Sequence, residues 1–67
     1  MKPENYYLIE RVPSKYADPR AAREGVELWY CHMNGFPYIP VGGSIGIKEE
    51  AAAVCKIMNL NGRVYYR

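Results

Sequence analysis

Asn34-Gly35 stands between two apolar runs, and this dipeptide constrains the fold more than any other feature of the chain. Both residues tolerate positive φ, and Asn-Gly flanked by apolar residues is the strongest short-range signal for a two-residue type I′ hairpin. The spacing therefore predicts a hairpin from Val26 to Val41. Such a turn sets the register: Met33 faces Phe36, Cys31 faces Tyr38 and Trp29 faces Pro40. On the other face His32 meets Pro37, Tyr30 meets Ile39 and Leu28 meets Val41. Pro37 and Pro40 lack N–H donors, so the returning strand reads as an edge.

This hairpin is apolar on both faces. One face carries Val26, Leu28, Tyr30, Ile39 and Val41, the composition of a small core under a helix. The other carries Trp29, Cys31, Met33, Phe36 and Tyr38. Trp and Tyr are enriched among binding hot spots, and Met suits adaptable surfaces. We assign the aliphatic face to the core and the aromatic face to a partner. The reverse assignment places Trp29 and Phe36 under the helix. In either case a second apolar face needs a cover.

The remaining elements follow from local signals. Asn5 to Val12 is rich in β-branched and aromatic residues and reads as a strand ended by Pro13. Asp18, Pro19 and Gly25 suit the N-cap, the first helical position and the residue past the end of a short helix over 19–24. Gly42 to Gly46 reads as a flexible link. Ile47, Ala51, Val54, Cys55 and Met58 recur at helical spacing, which predicts the main helix from Ile47 to Leu60. Glu49 and Glu50 suit its first turn and Asn61-Gly62 its end. Arg63 to Arg67 reads as a last strand with Val64 and Tyr66 inward.

The chain has 67 residues, one domain's worth. At this size folding buries only about 60% of the unfolded surface. Two cysteines allow one bridge at most, whereas secreted domains this small usually carry several. Reduced thiols and a cytoplasmic location are expected. The first residues, Met1 to Asn5, lack the apolar core of a signal peptide, and no run approaches the ~20 apolar residues that span a bilayer. Nine Lys and Arg against seven Asp and Glu give a formal charge of +2. That excludes a strongly acidic DNA mimic and falls short of the basic balance usual in nucleic-acid-binding domains. A chain that is 49% hydrophobic with seven Tyr is too rich for disorder.

Candidate chemistry is sparse. Cys31 and His32 are adjacent on a strand and point to opposite faces, so they make no dyad; the plain reading is a buried Cys and a rim His. Cys31, His32 and Cys55 lack the closely spaced pairs of a zinc site, and no metal or cofactor is expected. Gly42 to Lys48 lies between strand and helix, where amides can cradle an anion, but it matches no phosphate-binding fingerprint. Glu4, Glu10, Glu24, Glu27, Glu49 and Glu50 are scattered and form no acid–base pair. Lys15, Arg20, Arg23, Arg63, Tyr65 and Arg67 are the ingredients of single-strand nucleic-acid binding, basic residues interleaved with aromatics. Against that role, the hairpin strands carry no Lys or Arg.

The order of strand, long connection, Asn-Gly hairpin, Lys-Glu-Glu-Ala-Ala-Ala helix and terminal strand resembles small proteins of phages and mobile elements, anti-CRISPR inhibitors among them. The resemblance implies a cofactor-free protein that covers a surface of a host complex. Leu28 to Asn59 also resembles the sheet-plus-helix modules at the N-termini of phage-type integrases, which insert their sheet into a DNA groove; it departs from them in lacking basic strand residues.

The sequence thus predicts an α+β domain: a small antiparallel sheet of three to four strands with one main helix packed on one face, in the order β-β-β-α-β. The expected function is a non-enzymatic interaction module. It would dock Trp29, Met33, Phe36 and Tyr38 on a partner protein or a second copy of itself. The alternative is a nucleic-acid-binding module.

Overall fold

The computed structural model describes residues 5–42 and 45–67. Met1 to Glu4, read above for targeting, lie outside the described residues, as does the centre of the Gly42 to Gly46 link considered for an anion. The elements are β1 (Tyr7–Arg11), a 3₁₀ turn (Ser14–Tyr16), α1 (Pro19–Glu24), β2 (Trp29–Met33), α2 (Lys48–Asn59) and β3 (Tyr65–Tyr66). They form an α+β domain as read, with α2 packed on β1 and β2.

The sheet is mixed rather than antiparallel, in the order β2-β1-β3. β1 is central. It pairs antiparallel with β2, with Ile9 opposite Cys31 and Glu10 opposite Tyr30. On its other side it pairs parallel with β3, Leu8 beside Tyr65.

Helix α1 forms as its caps dictate. The Asp18 carboxylate accepts the Arg20 N–H at 2.8 Å, Pro19 opens the helix, and Gly25 closes it at φ +72°. Helix α2 buries Ala51 and Cys55 and carries Glu49 and Glu50 in its first turn, where they oppose the helix dipole. Its stop falls one residue earlier than expected, on Leu60, which itself takes a left-handed φ of +63°.

The predicted hairpin is the main correction. The chain does turn at Asn34-Gly35, with the Phe36 N–H donating to Met33 O at 2.9 Å. Only Gly35 has positive φ there (+91°); Asn34 keeps a negative one. The turn is therefore not type I′, the form whose twist matches two paired strands. Residues 36–41 then form no strand. Pro37 and Pro40 cannot donate to a ladder, and Tyr38 adopts φ +66°, outside any strand geometry. This returning strap touches β2 through one main-chain bond, Val41 N–H to Cys31 O at 2.8 Å. Further on, Gly46 and Trp29 form an isolated antiparallel bridge.

The assignment of faces is reversed as well. Ile9, Cys31, Ala51 and Cys55 make the core cluster, with Tyr7, Trp29, Val41, Val54 and Val64 packed around it. Trp29 and Cys31 thus face the helix, as the small side chains of Ala51 and Cys55 allow. The expected aliphatic face never assembles, because Val26 and Ile39 lie outside the strands and are exposed. Strand neighbours Leu8 and Ile9 are both buried, and so are Tyr30, Cys31 and His32. Neighbours on a strand point to opposite faces, so the chain covers both faces of its own sheet at the centre.

Asn59, in the last turn of α2, holds the parallel edge. Its Oδ1 accepts the Tyr7 N–H at 2.8 Å. Its Nδ2 donates to Tyr7 O at 2.9 Å and to Arg63 O at 2.8 Å. One amide thus joins the helix end, the start of β1 and the approach to β3. Of the two residues expected inward at that end, Val64 packs on the core, but Tyr66 is exposed. A strand of two residues at the sheet edge has no element beyond it to cover its side chains.

Candidate functional site

The sheet face away from α2 carries polar chemistry at its centre. Register places Glu10 opposite Tyr30 and diagonal to His32. The Tyr30 hydroxyl donates to Glu10 Oε2 at 3.2 Å, and His32 Nε2 lies 2.9 Å from the same oxygen. His32 Nδ1 is 3.0 Å from Met33 O. Both ring nitrogens therefore face acceptors, and only a doubly protonated imidazole brings an N–H to each. The His32 ring is fully buried, 0% exposed, against 23% for the Glu10 side chain. His32 is a centre, not a rim. The reason is that β2 is flanked by β1 on one side and by the strap on the other.

Tyr30 links this centre to the strap. Its ring stacks on His32 with centroids 4.9 Å apart, and its hydroxyl accepts the Tyr38 N–H at 2.9 Å. Burial first, and the Glu10 carboxylate beside it, push the Tyr30 phenol up from its ordinary 10.0; the Tyr38 N–H opposes them. The phenol therefore stays protonated and keeps donating to Glu10. Tyr38 lies over Tyr30 and against Tyr16. Together with Val12, Pro40 and Ile45, the three tyrosines line a half-open cavity of about 310 Å³.

On the helix side of the strap, Tyr7, Met33, Phe36, Ile39 and Val41 line a second apolar hollow of about 230 Å³. The strap itself presents large side chains to solvent: Phe36 is 54% exposed, Tyr38 56% and Ile39 59%.

The residues read as a docking set are thus divided. Met33 and Phe36 come together. Tyr38 lies across the strap, over Tyr30. Trp29 sits at the far end of β2, half-buried on the core, with Lys48 Nζ 5.1 Å from its ring centroid. The basic set divides too. Lys15 lies over the Tyr16 ring, and Arg20 and Arg23 are on α1, all beyond the C-terminal end of β1. Arg63 lies at the opposite end, where Asn59 joins its carbonyl to that of Tyr7. Tyr65 packs on Tyr6 with centroids 4.9 Å apart, and the Arg67 N–H donates to Ile9 O.

Sequence reasoning missed Glu10, Tyr30 and Ile39 as members of a site. Glu10 and His32 are 22 residues apart, and only the register of β1 on β2 joins them. Among the described residues no group of three or more His, Cys, Asp or Glu side chains is placed to hold a metal ion, and no helix is long and apolar enough to cross a membrane. The fold and this face define a small α+β domain with a tethered apolar strap. Compared with known protein families, curated proteins and solved structures, the chain matches none.

Proposed function

We propose that this protein is a small non-enzymatic interaction module that docks on a partner protein through its strap. One observation carries the reading: Phe36, Tyr38 and Ile39, three large side chains within four residues, are each more than half exposed. Ordering such side chains in water has no return unless a partner covers them. Aromatic residues over shallow apolar hollows are the usual anchors of protein interfaces. The expected anchors shift accordingly. Met33, Phe36 and Tyr38 stay in the docking set, Ile39 joins it, and Trp29 serves the core. The most concrete version is an inhibitor that covers a surface of a host defence or nucleic-acid-processing complex, in keeping with the layout shared with small phage proteins.

The test compares wild type with the Phe36→Ser/Ile39→Ser double variant, both side chains being exposed enough for the fold to survive. Light scattering across a concentration series fixes the oligomeric state of each. Both are then immobilised and challenged with a lysate of the source cells. The reading expects a stoichiometric partner, foreign or a second copy, that wild type holds and the variant loses. Two monomers that retain the same proteins in the same amounts would refute it.

A further inference from the structure

We propose that Cys31 and Cys55 form an oxidation site, a reversible intramolecular disulfide that ties β2 to α2. Both thiols are free and buried, 1% and 0% exposed. They belong to one core cluster, two of its four fully buried members. Their side chains stand within hydrogen-bond reach of each other: burial first, and the facing Cys55 next, push the Cys31 thiol up to about 12. Sulfurs in contact need only a side-chain adjustment to bond, since a disulfide spans Cα atoms usually about 4.4–6.8 Å apart.

The surroundings tolerate the change. Oxidation removes the S–H of Cys55, which now donates to Tyr7 O at 3.2 Å and to Arg63 O at 3.8 Å. Neither carbonyl is orphaned, because Asn59 Nδ2 donates to both, at 2.9 and 2.8 Å. A chain of this size also has a use for a staple, since its core is small.

The oxidant is a low-molecular-weight disulfide. One cysteine thiolate attacks it, forming a mixed disulfide and expelling a small thiolate. The second cysteine thiolate then displaces the other small thiolate, closing the S–S bond. The two protons lost by the cysteines leave with the two small thiols. Only thiolates attack, and the folded chain holds Cys31 as a thiol. Exchange therefore begins on the opened chain, and the folded state retains whichever redox form it closed with.

The test uses the full chain and oxidised glutathione at about pH 8, applied natively and in urea followed by refolding. Iodoacetamide trapping and intact mass read the products. The expected product is an unalkylated monomer, two hydrogens lighter, formed faster in urea than natively. Its circular dichroism is native and its thermal midpoint higher by on the order of 10 °C. Dithiothreitol returns the midpoint once the chain is opened, and the Cys31→Ala variant shows no response to the oxidant. Glutathione adducts or linked dimers as end products, or a bridged monomer with a lowered midpoint, would overturn the proposal.

Discussion

Replacing Tyr30 with Phe isolates the tie between the buried polar centre and the strap. The ring stays, with its stacking on His32. Two hydrogen bonds go: the one donated to Glu10 at 3.2 Å and the one accepted from the Tyr38 N–H at 2.9 Å. A typical internal hydrogen bond contributes about 0.5–1.5 kcal/mol net. The first is long, and Glu10 keeps His32 and some contact with water. The second frees an amide on an exposed residue, which water can reach. Both losses therefore fall in the ordinary range, and Tyr30→Phe should cost ~1.5 kcal/mol in all. For a domain this small that corresponds to a fall in thermal midpoint of roughly 6–12 °C. Urea unfolding followed by circular dichroism measures the free energy, and hydrogen exchange supplies the specific readout. The Tyr38 amide should lose protection by more than the global change, while the amides of β1 and β2 follow the global change alone. An unaltered Tyr38 amide, or a stability equal to wild type, would refute this account of the strap.

Two further perturbations test other parts of the fold. Asn59→Ala removes the side chain that serves Tyr7 N, Tyr7 O and Arg63 O; a loss of about 2–3 kcal/mol in urea unfolding, with exchange rising first at Tyr65 and Tyr66, is expected, and uniform exchange would count against the edge-holding role. Stability should also fall as pH rises above the ordinary thiol range. The folded chain holds Cys31 protonated up to about 12 against an ordinary 9.0, and holds Tyr30 protonated beyond its ordinary 10.0. The unfolded chain ionises first, so both contributions are complete below about pH 9 and the Cys31 one is lost between about pH 9 and 12. Thermal midpoints across that range should fall less steeply for Cys31→Ala than for wild type, and equal slopes would show that the thiol contributes nothing.

What the sequence reveals about this fold follows the range of each signal. Helix α1 was legible to the residue because its determinants, Asp18, Pro19 and Gly25, act within one turn. Helix α2 was legible from its apolar spacing, with an error of one residue where Leu60 takes the left-handed position without being glycine. β3 was legible as a strand but not in its pairing. Its parallel place beside β1 depends on Asn59, whose partner Tyr7 lies 52 residues away. The Asn34-Gly35 signal was right about a turn and wrong about its type. That one error moved Ile39 and Val41 into a sheet face that does not exist.

The polar centre was hidden for a related reason. Glu10 belongs to a strand that reads as apolar, and His32 to a hairpin arm that reads as one side of a pair. Only when β1, rather than residues 36–41, lies beside β2 do the carboxylate and the imidazole meet. The same exchange of partners frees the strap. Pro37 and Pro40 keep it from joining the sheet, and the Tyr30 hydroxyl and Cys31 carbonyl keep it from leaving. A segment tied at two points, with its large side chains outward, keeps its shape while adding little to the core. Changes at Phe36 and Ile39 should therefore alter binding and leave stability within about 0.5 kcal/mol, whereas changes at Tyr30 should alter both. That separation of effects distinguishes a strap held out for a partner from a strand that failed to pair.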